Sequence, residues 1–383
     1  MKTVNWRSNL ALAALACCMG AGTAEAGEKM DKTYNVLSNN GAGYDLSDSI
    51  LGPDSQYDFG GWLAVGYSSD NTGLFNTETD VNLTQGWLYA ERALDTAEGF
   101  DWGFRFDTMV GTDAADTQTF GGTPGAWDLD TNTNWNSYGL AIPQAYVELG
   151  YKNVKIKGGH FYTPVGYEVV GAPGNFFYSH AFTMYYSEPF THSGVLATYT
   201  ATDWLEVFGG WTAGWDTGFD SYNDGSNFLG GATVSPTDWA KILYTFTAGD
   251  MGAIGKGYSH SVVADLTITE KLNWVIQSDH VDVSGQDPTD PGAYYNTVGL
   301  NTYLFYALTE TVKLGGRAEW WRANNTDYYE TTVGINWKVL PNLTLRPEFR
   351  YQASPDVEDN GAVNTVGIPV DAAAFAFDAV LTF

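Results

Sequence analysis

The amino-acid sequence predicts an all-β fold: a transmembrane antiparallel β-barrel of about sixteen strands, with short periplasmic turns and long external loops. Three observations predict it. Stretches of about ten residues alternate apolar and polar side chains, the length a tilted strand needs to cross a bilayer. The connections between them are short and long by turns. The chain also stops, in FAFDAVLTF, on an alternating stretch with apolar residues at Phe375, Phe377, Ala379, Leu381 and Phe383.

Taken in order, residues 1–26 are set apart as an export signal. Lys2 and Arg7 supply the charged start, Leu10–Ala21 is a short apolar core, and Ala24-Glu25-Ala26 is a small-x-small cleavage site ahead of Gly27. The apolar run is too short to cross a bilayer as a helix. Acylation at Cys17 is the competing reading, but Ala14-Leu15-Ala16 lacks the Leu expected three positions back. Both cysteines lie in this signal, so disulfide and thiol chemistry are excluded downstream. Residues 27–56 do not alternate and are expected to form a periplasmic lead or a plug entering the lumen. The barrel then occupies 57–383.

A net charge of −27 excludes nucleic acid as a partner, since phosphate binding needs a basic face. The 24 Tyr, 20 Phe and 14 Trp exclude a disordered acidic chain. Beyond residue 26 no run of 18 apolar residues occurs, so no transmembrane helix is expected.

Strands are expected near 57–68, 83–93, 100–110, 141–151, 153–161, 193–201, 204–213 and 226–234. The second half gives 239–248, 258–268, 271–281, 295–306, 311–321, 328–338, 342–352 and 373–383. In VKLGGRAEWW one face carries Val312, Leu314, Gly316, Ala318 and Trp320, and the other Lys313, Gly315, Arg317 and Glu319. A soluble sandwich also alternates, but here the apolar faces end in Trp320, Trp337 and Tyr351, as rings at membrane interfaces do. Backbone inside hydrocarbon must close its hydrogen bonds, which requires a barrel. GYKN, TATD, SPTD, TEK, LTE and VLPN are short turns. Between them fall long loops near 69–82, 111–140, 162–192, 214–225, 282–294 and 353–372, with 322–327 a tight external exception. A sandwich has no reason to sort its connections in this way.

With apolar faces outward, the lumen receives Arg105, Lys155, Lys157, Lys241, Lys313, Arg317, Lys338, Arg346 and Arg350, together with Glu148, Glu319, Glu330 and Glu348. Charges facing lipid near the midplane would each cost about 2–4 kcal/mol, so inward placement follows. Two functions remain open for them: a pore-lining charged wall that sorts solutes, with Lys313, Arg317, Arg346 and Arg350 at its centre, or Lys/Arg–Glu contacts that hold the lumen together.

The third long loop, FYTPVGYEVVGAPGNFFYSHAFTMYYSEPFTH, is rich in aromatic rings and carries only two acids, Glu168 and Glu188. A loop in water should be polar. This one is expected to fold inward and narrow the lumen with Tyr162, Tyr167, Glu168, Phe176, Phe177, Tyr178, Tyr185 and Tyr186. The alternatives are packing over the rim or an oligomer contact. Three of the five histidines flank or lie in this loop, but without cysteine or close His spacing no metal is expected. DLDTNTN, SYNDGSN, DPTDPG and DVEDNG offer oxygen ligands for calcium, yet none completes the twelve-residue calcium-loop pattern, and Asp and Asn are ordinary turn formers. No nucleotide-binding glycine loop occurs, and no cofactor is expected. His192 and Ser193 cannot form a nucleophile–base pair, because adjacent strand residues point to opposite faces. A barrel hydrolase and a structural anchor without an open pore are the competing function classes.

KGGHFYTPVGYE with SEPFTHSGVLATY, and GWLAVGYSSDN with GWLYAERALD, resemble the OmpL-like β-barrel porin-2 family from about Gly60 to Phe383. The C-terminal Phe375, Phe377, Leu381 and Phe383 resemble the signal that the barrel-assembly machinery of diderm bacteria reads. The resemblance implies an outer-membrane pore; with a charged lumen wall, passive diffusion of small hydrophilic solutes is the expected function. It implies outer-membrane lipid around the barrel, allows a homotrimer, and carries over no catalytic residue.

Overall fold

Sixteen antiparallel strands close into one barrel in a computed structural model, described for residues 46–52, 55–70, 80–119, 127–128, 138–219, 224–284, 294–357 and 369–383. They are β1 Asp58–Ser68, β2 Asn82–Arg92, β3 Phe100–Gly111, β4 Gly139–Tyr151, β5 Val154–Tyr162, β6 Thr191–Thr202, β7 Leu205–Thr212 and β8 Ser226–Thr237. β9 Ala240–Asp250, β10 Lys256–Thr267, β11 Leu272–Ser284, β12 Tyr294–Ala307, β13 Val312–Ala323, β14 Thr326–Leu340, β15 Leu343–Ala353 and β16 Ala372–Thr382 complete the wall. Each strand pairs with its sequence neighbours, and β16 returns to β1. Each expected strand coincides with an observed one, with ends shifted by a few residues.

The side-chain period of two decides which face meets which solvent. On β13, Leu314 and Ala318 are exposed while Arg317, Glu319 and Trp321 are buried. Exposed rings gather at both rims: Tyr151, Trp204, Trp239, Tyr306 and Trp337 at the short-turn end, and Trp211, Tyr329 and Tyr351 at the other. The closing seam pairs the last residue with the first strand, Phe383 N–H donating to Gly61 O at 3.0 Å and Gly61 N–H to Phe383 O at 2.9 Å. No strand edge is left open, and Phe375 and Phe377 point outward.

The expected loop at 322–327 shrinks to two residues, because β13 and β14 extend to Ala323 and Thr326. Asn324 and Asn325 turn the chain with φ of 46° and 73°, the left-handed pair a two-residue hairpin turn requires. A second tight external connection, 251–255, joins β9 to β10. The export signal and most of the 27–56 segment lie outside the described residues; Leu46–Leu51 forms a short helix, α1, whose Ser47 hydroxyl donates to Tyr57 O at 3.2 Å. Most of the four calcium-loop candidates also lies outside the described residues, and among those described no three metal-ligating side chains converge. Two further short helices, α2 Ala114–Thr117 and α3 Phe182–Ser187, sit in the second and third long loops.

Candidate functional site

The connection from β5 to β6 is long and nominally external, yet no residue from 161 to 190 is exposed. Its first turn crosses successive strands of the inner wall. Pro164 O accepts from Thr245 of β9 at 3.0 Å, Gly166 N–H donates to Ser261 of β10 at 3.3 Å, and Tyr167 N–H donates to Gln277 of β11 at 3.2 Å. Glu168 then accepts from Tyr303 of β12 at 3.1 Å and Arg317 of β13 at 2.7 Å. Further on, Gln85 of β2 bonds both Val170 O and Ala172 N–H. Tyr162, at the loop's start, leans on Trp87, itself stacked on Trp62 at 4.4 Å.

The return path is held by charged side chains of β13 and β15. Glu348 accepts the backbone N–H groups of Tyr178 and Ser179, at 2.7 and 3.1 Å. Glu319 accepts those of Phe182 and Thr183, at 2.6 and 2.7 Å. Arg346 donates to Ala172 O and Asn175 O, Arg317 to Ser179 O, and Arg350 to His180 O. Such charge-assisted bonds are the strong class, and they satisfy backbone groups that would otherwise be buried without partners. The rings pack between them: Phe176 on Phe305 at 4.7 Å, Phe177 under the Arg317 guanidinium, and Phe182 under that of Arg350. Phe176 occupies the space that Gly315 leaves open, where a Cβ would lie 2.3 Å from the ring. Tyr186 lies on Trp321 at 5.2 Å, and Tyr185 donates to Asp116 at 2.8 Å.

These contacts define where the sequence-derived wall residues lie. Arg105, Arg317, Arg346 and Arg350 are at most 3% exposed. Each has acidic company: Arg105 with Glu91 and Asp107, Arg317 with Glu168 and Glu330, Arg350 with Glu330, and Arg346 with Asp378. Lys157 pairs with Glu148 at 3.1 Å over the Tyr146 ring. Lys155, Lys241, Lys313 and Lys338 are half-buried beside the short turns. The expected basic stripe is therefore a mixed network at the level of the loop, with the loop backbone as part of it. Inside the barrel, Glu168 illustrates the balance of forces: burial pushes its carboxyl up, but Arg317 and His180 more than offset that and hold it at about 2.

Two features escaped sequence reading. Gln277 and Asp279 alternate inward on β11, and Gln277 donates to Glu188 at the loop's end and to Asp279; the alternation in QSDH carries their inward direction, but nothing local to it points to Glu188. His160, not His192, meets Ser193, at 2.8 Å and fully buried, while the serine hydroxyl donates to Thr217 O. With its proton given to a carbonyl, Ser193 is held as a structural link and is not poised as a nucleophile.

Comparison with solved structures places the fold. The anion-selective porin from Comamonas acidovorans superposes with a TM-score of 0.56 at 8% identity, covering 85% of this chain and 99% of that one. The outer membrane channel DcaP of Acinetobacter baumannii gives 0.55 at 10%, over 85% and 97%. OmpT of Vibrio cholerae in its trimer form gives 0.54 at 13%, over 85% and 99%. No curated protein matches. Residues 56–383 match the family described as "Putative beta-barrel porin-2, OmpL-like". This closed barrel with a loop folded against its inner wall belongs to that family of outer-membrane porins.

Proposed function

We propose that this porin passes small hydrophilic solutes by passive diffusion, through a lumen that the aromatic loop 162–192 narrows. One observation carries the reading: the loop backbone is held to the wall by Glu319, Glu348, Arg317, Arg346 and Arg350, leaving it few ways to swing clear. Transport of this kind needs width and wall charge and no energy coupling. Tyr162, Tyr167, Glu168, Phe176, Phe177, Tyr178, Tyr185 and Tyr186 form the constriction. Arg105, Lys155, Lys157, Lys313, Arg317, Glu319, Lys338, Arg346, Glu348 and Arg350 form the surrounding wall, with Lys155, Lys313 and Lys338 meeting solutes at the periplasmic mouth. The export signal is cut before Gly27, and Phe375, Phe377, Leu381 and Phe383 recruit the assembly machinery. A homotrimer is the expected assembly, by analogy with the trimeric OmpT neighbour.

Close packing around the loop also favours a second reading, a barrel shut at mid-height that anchors the envelope. Planar-bilayer recording with a panel of salts and sugars separates them. Stepwise currents with size-dependent sugar permeation support the porin; a silent bilayer supports the anchor.

A further inference from the structure

The expected lead or plug, residues 27–56, is described only towards its end, where α1 and residues 55–57 run into β1. Register fixes the level of that junction. Asp58 pairs with Glu91 of β2, Glu91 with Arg105 of β3, and Arg92 with Phe104. β1 therefore starts level with Arg105, while β3 runs on toward the periplasm through Trp102 to Phe100, whose exposed rings end the lipid-facing belt. The chain that precedes Asp58 has to pass that stretch on one side of the wall or the other.

It passes on the outside. Alternation puts Leu88, Arg92, Trp102 and Phe104 on the outer face, since Glu91, Arg105 and Asp107 are buried on the inner one. Arg92 donates to Gln56 Oε1 at 3.4 Å. The Tyr57 ring lies 6.4 Å from that of Phe104, which in turn stacks on Trp102. The inner side is already taken by the turn between β2 and β3. A Cβ added to the inward-facing Gly150 would meet Thr96 at 2.5 Å and the buried Leu94 at 2.8 Å.

The helix is built to match. Ser47, Ile50 and Leu51 share one face by their spacing of three and four, and Asp48 and Ser49 lie on the other. Ser47 is buried and donates to Tyr57 O, so its face is the one turned to the wall. Yet Ile50 and Leu51 on that face are 64% and 42% exposed.

We infer that α1 is an interfacial foot: lying along the periplasmic rim of β1–β3, it sinks Ile50, Leu51 and Tyr57 into the phospholipid leaflet that faces the periplasm. Continuity with the belt commits the foot to lipid, because its apolar face extends the surface that Trp102 and Phe100 present to acyl chains. An amphipathic helix so placed lies about 5–10 Å deep at the boundary between headgroups and acyl chains. The lead then enters β1 without crossing the lumen.

The test is fluorescence quenching in vesicles. The chain from Gly27 carries no cysteine, so Ile50→Cys and Asp48→Cys each take a single fluorophore without further changes. Both positions are exposed, and heat-shifted gel mobility checks that each labelled barrel is folded. The vesicles are phosphatidylethanolamine and phosphatidylglycerol. A lipid nitroxide near the top of the acyl chain should quench the label at 50 about twofold or more beyond the label at 48, and aqueous iodide should do the reverse. Iodide quenching alike at both positions, with no lipid contribution at 50, would put the segment in water or in the lumen and overturn the foot. Equal lipid quenching at both would overturn it as well, since the helix would then have no lipid-facing side. Protection of position 50 from both quenchers would replace lipid with a second copy of the chain. The readout is optical and stands whether or not the barrel conducts.

Discussion

Arg317 concentrates the physics of the interior. Its guanidinium reaches Glu168, Glu330, Ser179 and Thr332 and covers the Phe177 ring, with no surface left for water. Replacing it with Ala leaves Glu330 only its longer cationic contact with Arg350, and Glu168 only His180, Tyr303 and Ala181 N–H, in a buried site, which should cost roughly 3–5 kcal/mol. Lys313→Ala, half-buried near a short turn, should cost far less; urea unfolding of the two variants checks the difference. Glu168 adds a pH dependence. Its carboxyl is held at about 2 against an ordinary 4.5, so its contribution is complete above 4.5 and is lost as pH falls toward 2. Channel currents should grow noisier over that window in the wild type and show no such window in Glu168→Gln. Asp216, which accepts Phe190 and Thr191 N–H, has the opposite sign. Burial pushes it up to about 7 from 3.8, so stability should rise as pH drops from 7 toward 4, and Asp216→Asn should flatten that rise in a thermal melt. The inward direction of Arg317, Arg346 and Arg350 was legible from alternation alone. Their partners were not, because Glu319 and Phe182 stand 137 positions apart and Arg346 and Ala172 stand 174. Nothing local links a wall glutamate to the loop amide it will hold.

At the scale of elements, the strands were legible because lipid on one side and side-chain packing on the other impose a strict period of two. Even β2 and β8, whose alternation is blurred, are found once their neighbours are placed, since a closed barrel leaves no gap. The third loop announced its burial through its ring-to-acid ratio, whereas its route, from β9 through β13 and back along β15, depends on residues spread over the whole chain. Gly315 is where strand and loop fit most tightly. Gly315→Val should collide with Phe176, cost about 1–3 kcal/mol and shift the loop, read as a changed single-channel conductance at unchanged β-content by circular dichroism. An unaltered conductance and stability would mean that Phe176 does not rest there.

For the whole molecule, closure is the controlling event. The β1–β16 seam removes the last free edge and is completed by the backbone of Phe383 itself. Deleting Phe383 removes two seam bonds, and the expected outcome is a smaller fraction of heat-shiftable, folded barrel on semi-native gels. Once closed, the barrel fixes the inner wall, and the wall fixes the loop. The central claim is that this loop, not the barrel, sets the width of the passage. Single-channel conductance of the chain lacking residues 170–186, against the full chain in the same salt, tests it most directly. A several-fold rise with intact heat-shiftable barrel is the result this account predicts; an unchanged conductance from an equally well-folded barrel would contradict it.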